Sequence, residues 1–149
     1  MGTSRAIMYQ RLLLYSDGGA RGNPGPAAIA YLALTEKGET VKADSKFIGE
    51  HTNNQAEYHA LIAALEFAEA NKVEEVVCHL DSELVAKQLK GEYSVKNFEL
   101  QKLWRRAQEL KRCFKKISFE NVPRTNICIQ RADALVNETL DEQPKNNSN

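Results

Sequence analysis

Apolar positions along the 149-residue chain fall into short continuous runs and longer helical stripes. Residues 11–16, RLLLYS, are too short for a helix and predict a strand that Asp17 closes. The next nine residues, GGARGNPGP, hold four glycines and two prolines and predict a turn. Residues 27–35 and 39–49 read as two more strands, joined by a hairpin loop at Glu36, Lys37 and Gly38. The first three strands then form an antiparallel meander.

The pattern changes period after residue 53. Ala60, Leu61, Ala64, Leu65 and Ala68 recur at helical spacing and predict a helix over 54–71, capped by Asn53 or Asn54. EVVCHL, residues 75–80, predicts a strand ending at Asp81. A strand, a helix and a strand in succession imply a parallel crossover. A second helix is expected over 82–90, ended by Gly91. A third is expected over 97–113, with Phe98, Leu100, Leu103, Trp104, Ala107 and Leu110 as its apolar stripe. A last strand over 116–122 stops at Pro123, and a final helix spans 131–141. The order β-β-β-α-β-α-α-β-α predicts an α/β fold. Its mixed five-stranded sheet has three antiparallel strands and two parallel additions, flanked by helices. No repeat or linker divides the chain. One domain is expected at 11–141, with an N-terminal extension at 1–10 and a disordered tail at 142–149.

Composition narrows the class. A chain that is 42% hydrophobic suits one compact core. No apolar stretch approaches the roughly 18 residues of a membrane span, and no signal-peptide pattern opens the chain. Cys78, Cys113 and Cys128 form no CxxC and leave one unpaired in any disulfide scheme, so reduced thiols in a cytoplasmic monomer are expected. Net charge is zero but uneven. Residues 84–116 hold ten bases and three acids, a local charge of +7, and the rest carries −7. Such poles fit a polyanion partner beside an acidic metal site, or a solvated basic helix face.

Four acids stand at the ends of apolar elements: Asp17 in YSDGGARGNPGPA, Glu57 in TNNQAEYHAL, Asp81 in VVCHLDSELV and Asp133 in QRADALVNETL. Each has a plain local explanation: a turn aspartate, a helix acid, an N-cap and a helix-opening acid. Their conjunction is harder to explain that way. Asp17 and Asp81 close strands at the end of the sheet where ligands usually bind. Glu57 shares a helix face with Leu61, Ala64 and Ala68, where an uncompensated carboxylate is costly. Carboxylates that converge must bind cations or shift their pKa values.

The segments YSDGGARGNPGPAA, TNNQAEYHALIAAL, LDSELVAKQLKGEY and ADALVNETL, in that order, resemble type 1 ribonuclease H. The resemblance covers about Leu12 to Leu140 and implies the ribonuclease H-like fold. It implies hydrolysis of the RNA strand of an RNA–DNA hybrid, leaving 5′-phosphate and 3′-hydroxyl ends. The cofactor it implies is two Mg2+ ions, with Mn2+ as a substitute. By resemblance Asp17 bridges both ions, and Asp133 is the second ligand of the water-activating ion. Glu57 and Asp81 hold the ion at the leaving 3′ oxygen, and Glu57 also reaches the ribose 2′-hydroxyl. Asn23, Asn53 and Asn54 match residues that read minor-groove edges and 2′-hydroxyls. Thr52 and Asn97 match a pocket for a DNA phosphate, and Lys96 belongs to the basic face expected to grip the hybrid. Oxygen-only ligands favour Mg2+ or Mn2+ over zinc. Two ions about 3.5–4 Å apart supply both the attacking hydroxide and the stabilised leaving oxygen.

Three departures qualify the resemblance. Residues 90–96 join the second and third helices directly, without the basic protrusion of some members, so the chain resembles the compact, archaeal-like subset. The histidine many members place before the last acid is absent. His51, His59 and His79 read as solvent, helix-surface and strand residues, and Arg124 occupies the equivalent loop. The loop at 125–131 is about two residues longer than usual and carries an apolar Ile127, Cys128, Ile129 run beside the expected position of Asp133. Alternatives are a hybrid-binding module of the same fold with little or no catalysis, and another nuclease of the fold such as a junction resolvase or integrase. Length excludes a full reverse transcriptase but not a detached domain of one.

Overall fold

The structure, a computed structural model, describes residues 9–144. Its elements are β1 (Arg11–Ala20), β2 (Gly25–Leu34), β3 (Thr40–His51), α1 (Asn53–Ala70), β4 (Glu75–Leu80), α2 (Glu83–Leu89), α3 (Phe98–Lys111), β5 (Lys116–Asn121) and α4 (Ile127–Asp141). They form one sheet in the order β3-β2-β1-β4-β5. The pairs β1–β2 and β2–β3 are antiparallel, while β1–β4 and β4–β5 are parallel. This is the α/β architecture, with its mixed five-stranded sheet, that the hydrophobic pattern predicts. The extension expected at 1–10 and the tail expected at 142–149 lie largely outside the described residues. Inside that limit, backbone pairing reaches Gln10, which accepts from Glu75, and Gln143, which donates to Leu140.

Side-chain alternation along the strands creates two layers. Leu12 and Leu14 of β1, with Val76, Cys78 and Leu80 of β4, enter the larger core beneath α1, α2 and α3. Leu13 and Tyr15 face the opposite way and pack with Leu32, Leu34, Cys128 and Leu135 under α4. Asp17 and Asp81 continue the odd-numbered series on the α4 side. Because β4 ends at Leu80 while β1 runs on to Ala20, the far end of β1 has β2 on one flank only. The crevice lies on its open flank.

The structure corrects several boundaries. β1 does not close at Asp17: its ladder with β2 continues through Asp17↔Ala30, Gly18↔Ile29, Gly19↔Ala28 and Ala20↔Ala27. Glycines usually punctuate, but here Gly18, Gly19 and Ala20 stay paired with Ile29, Ala28 and Ala27, and the bend is confined to residues 21–24. α1 is capped by Thr52 rather than Asn53 or Asn54. Thr52 Oγ1 accepts from the Gln55 N–H at 3.1 Å, and the Gln55 side chain accepts from the Thr52 N–H at 2.9 Å. That reciprocal pair satisfies two of the helix's free donors. It also places Glu57 in the second turn.

α4 starts at Ile127, not 131. Asn126 Oδ1 accepts from Cys128 and Ile129 at 2.9 and 3.1 Å, so the residues expected as a longer loop form the first helical turn. Their apolarity follows, since Cys128 and Ile129 are buried. Asp133 therefore sits near the end of the second turn rather than at the helix entrance. Phe98, expected on the buried stripe of α3, is exposed, with the Lys102 ammonium 4.9 Å from its ring centre.

Gly18 allows the sheet and α1 to meet at the crevice. A Cβ at this position would lie 2.2 Å from the Ala56 carbonyl oxygen, a backbone atom that cannot step aside. Gly18→Ala is expected to destabilise the fold by about 1–3 kcal/mol, the usual range for overpacking. Gly19→Ala, whose Cβ would meet only a Val136 methyl at 3.8 Å, is the control. Denaturant titration checks this, and equal midpoints for the two variants would show that the approach is not tight.

Candidate active site

Three carboxylates converge where β1 outruns β4. Oxygens of Asp17, Glu57 and Asp81 lie within 4.8 Å of one another. Asp17 and Glu57 are buried, at 7% and 8% exposure, and Asp81 is half-buried. Each is positioned by its element. Asp17 and Asp81 project from parallel neighbours one step beyond the aligned pair Tyr15↔His79. Those two rings stack with centres 4.2 Å apart and an 11° tilt, and His79 Nδ1 donates to the Leu14 carbonyl at 3.0 Å. The stack ties the two strands together directly below the two acids. Glu57 reaches across from α1, and its Oε1 accepts from the Gly18 N–H at 2.7 Å.

Asp133 completes the wall from α4. It is exposed, yet its charge and a hydrogen bond act on the Asp17 carboxyl. Asp17 is the member of the group that interacts with all the other three. Glu57 is influenced by Asp17 and Asp81. The four acids line a cavity of about 510 Å³ with Asn53, Asn54 and Arg124. Arg21, Ser82 and Asn137 line it too, and the sequence reading did not single them out. Position offered a signal for Asn137, which stands one helical turn after Asp133.

The electrostatics are strained. Burial, then the Asp81 and Asp133 charges, pushes Asp17 up to about 8. Burial, then the Asp17 and Asp81 charges, raises Glu57 well above the usual carboxylate range, against the lowering effect of the Gly18 N–H. Among the described residues Arg124 is the base that pairs with any of the four, its Nε 3.5 Å from Asp81 Oδ2. That side chain is 91% exposed, so water and salt weaken the pair. A cluster of hard oxygen donors with so little internal neutralisation fits a divalent cation.

The remaining expected residues are divided. Asn53 and Asn54 face the cavity. Asn23 Oδ1 accepts from the Asn53 N–H at 2.9 Å, and Asn53 Oδ1 accepts from the Ala20 N–H at 2.9 Å. The two asparagines thus clamp the β1–β2 turn to the start of α1. Thr52 caps α1, and Asn97 caps α3 by accepting from Leu100 at 2.9 Å. Lys96 and Asn97 are exposed and are not among the cavity residues. His51 is half-buried rather than solvated, bonded to the Ile48 carbonyl and packed against His59.

A raised carboxyl pKa has a definite stability signature. The folded state keeps protons that the unfolded chain releases near pH 4, so stability is full below that pH and falls as pH climbs toward about 8. Each retained proton contributes about 1.4 kcal/mol per pH unit. Calorimetry in EDTA is therefore expected to find Asp17→Asn more stable than the wild type at pH 8 and equal to it near pH 4. Added Mg2+ should raise the wild-type melting temperature at pH 8 and leave the variant nearly unchanged. A lower melting temperature for Asp17→Asn at pH 8 would contradict the clustering.

Comparison with known proteins supplies the family. A family described as reverse transcriptase-like matches residues 15–139. A curated relative, ribonuclease HI of Halobacterium salinarum, is 45% identical over 133 residues, covering 89% of this chain and 65% of that protein. The chain thus spans just under two thirds of that relative's length. The crystal structure of RNase H1 from Halobacterium salinarum superposes with a TM-score of 0.85 at 43% identity, covering 89% of this chain and 99% of the other. LC11-RNase H1, solved in complex with an RNA/DNA hybrid, gives 0.80 at 41% identity over 88% and 97% of the two chains. The motif order, the sheet topology, the three clustered acids and these matches agree, and the chain belongs to the type 1 ribonuclease H family.

Proposed function

We propose that the protein hydrolyses the RNA strand of RNA–DNA hybrids, leaving 5′-phosphate and 3′-hydroxyl ends. The observation that carries this reading is the placement of Asp17, whose oxygens cluster with those of Glu57 and Asp81 and whose carboxyl is also acted on by Asp133. That is the arrangement a shared ligand of two cation sites requires. Asp17, Glu57, Asp81 and Asp133 would hold two Mg2+ ions, with Mn2+ as a substitute. When bound, such ions make a hydroxide available near neutral pH and stabilise the charge on the leaving oxygen.

The chain's own residues do the positioning. Asp17 is fixed by its strand and by the ring stack below it. Glu57, which lines the cavity, is held by the Gly18 N–H through one of its oxygens. Asn53 and Asn54 stand on the same wall, and side-chain amides can donate to and accept from ribose hydroxyls and base edges. Asn23 supports that wall through Asn53, while Thr52 and Asn97 are assigned to a DNA phosphate and Lys96 to the adjoining backbone. Arg124 is placed to attract a phosphate or to assist product departure. The partner is the hybrid, bound by a monomer in the cytoplasm. In support, Cys78, Cys113 and Cys128 are all unpaired, and no helix of the described residues is long and apolar enough to cross a membrane.

Asp17→Asn is expected to abolish cleavage of a labelled hybrid in Mg2+ while binding persists, because the shape remains and the shared charge is lost. Near-normal turnover would defeat the reading. Asp133→Ala should remove most of the Mg2+-dependent activity, and Arg124→Ala should cost less, since it leaves every acid in place. A larger loss from Arg124→Ala would reassign the roles of these two residues.

The grip on the hybrid should depend on free bases rather than on net charge. Arg106 already pairs with Glu66 and Glu109, both at 3.2 Å, whereas no ion pair engages Lys96 or Arg105 among the described residues. Lys96→Ala and Arg105→Ala should weaken hybrid binding and flatten its salt dependence by up to about one unit of logarithmic slope per lost phosphate contact. Arg106→Ala should flatten it less. Equal slopes in wild type and the first two variants would place the hybrid elsewhere.

A further inference from the structure

Asp133 is held differently from its three neighbours. Asp17 and Asp81 are set by paired strands, and Glu57 by a backbone N–H. Asp133 stands on an exposed helix face, where a short acid is free to change rotamer. Beside its interaction with Asp17, a side chain of its own helix restrains it: Asn137 Nδ2 donates to Asp133 Oδ2 at 3.3 Å. An isolated Asp–Asn pair four residues apart on a helix contributes only a few tenths of a kcal/mol and needs no function. Two further observations set this one apart. Asn137 lines the cavity that the four acids share. Its own carbonyl accepts from Arg21 Nη2 at 3.3 Å, while Arg21 Nη1 pairs with Asp141 Oδ1 at 2.7 Å. Arg21 follows β1 directly, so the strand that carries Asp17 also carries the strap that holds this stretch of α4.

We infer that Asn137 is a positioning residue for Asp133, with Arg21 fixing the helix turn on which both stand. The inference rests on the reading of Asp133 as a cation ligand. A side-chain amide suits the role because it donates without adding charge. It occupies Oδ2 and leaves Oδ1 without a contact to Asn137. An aspartate at this position would have the same shape but would set a further anion beside Asp133. Alanine would remove that donor. Arg21 acts one step further back: without it the C-terminal half of α4 is no longer tied to the β1–β2 turn, so the separation of Asp133 from Asp17 is less well fixed. The arrangement couples two ligands from opposite ends of the chain through a single strand.

The test uses the full chain with Asn137→Ala, Asn137→Asp and Asn137→Gln, each also made in an Asp133→Ala background. Hybrid cleavage is titrated with Mg2+, and binding of Mg2+ alone is measured by calorimetry without hybrid. The first two variants are expected to need about tenfold or more Mg2+ for half-maximal cleavage, the usual cost of losing a partner behind a metal ligand. KM for the hybrid should change little. Asn137→Gln, which keeps a donor on a longer arm, should recover part of the loss. In the Asp133→Ala background the effect of Asn137→Ala should disappear. An unchanged Mg2+ midpoint in Asn137→Ala overturns the proposal, as does an equal loss in both backgrounds. If the wild type itself cleaves no hybrid, the functional reading fails. Calorimetry then decides for Asn137 alone: weakened Mg2+ binding in Asn137→Ala sustains the positioning role, and equal affinities overturn it.

Discussion

Mutual repulsion among carboxylates in a partly buried crevice is the constraint around which this molecule is organised. Asp17 is buried beside Asp81 and Asp133, and burial first, then those two charges, raises its proton affinity far above that of an ordinary aspartate, against the lowering effect of its hydrogen bond with Glu57. Left to itself such a cluster would spread or protonate. The surrounding fold prevents spreading. β1 and β4 are locked in register, the Tyr15–His79 stack ties them below the acids, and α1 sits close enough over Gly18 to deliver Glu57. The arrangement is costly without a cation and favourable with one. A site of this kind therefore links stability, pH and metal concentration in a single equilibrium.

The charge distribution extends the same logic. The acidic crevice alone would repel a nucleic acid. The +7 stretch over residues 84–116 supplies the opposing field from α2, α3 and the segment between them. Part of that charge is already used internally, as Arg106 shows by pairing with Glu66 and Glu109. On the proposed reading, the bases left free would set the long-range attraction, and bound cations would complete the neutralisation at the phosphates.

Much of this was legible in the sequence. The element order, the sheet class and the four acids follow from short apolar runs, helical stripes and the four motif segments. What was not legible depended on local competition. Gly18 and Gly19 read as a turn, yet pairing with Ile29 and Ala28 of β2 continues the strand through them, which moves Asp17 from a strand end into a paired position. Asn53 and Asn54 read as caps, but Thr52 and Gln55 form the better reciprocal pair and release Asn53 for the turn. The 125–131 segment read as a long loop because cap and helix were not recognised together. Asn126 opens α4 there, and the additional turn brings Asp133 to the crevice from further along the helix. Asn137 stands one helical turn after Asp133, a spacing that hints at contact, but only placement in three dimensions connects Arg21 to that turn.

The central claim is that Asp17 is shared between two cation sites. Crystals of the Asp17-intact protein with Mn2+ and a non-cleavable hybrid would test it directly through anomalous scattering. The account predicts two peaks in the crevice, both in contact with Asp17, one also touching Glu57 or Asp81 and the other Asp133. A single peak that does not touch Asp17, or no peak within reach of the four acids, would contradict it.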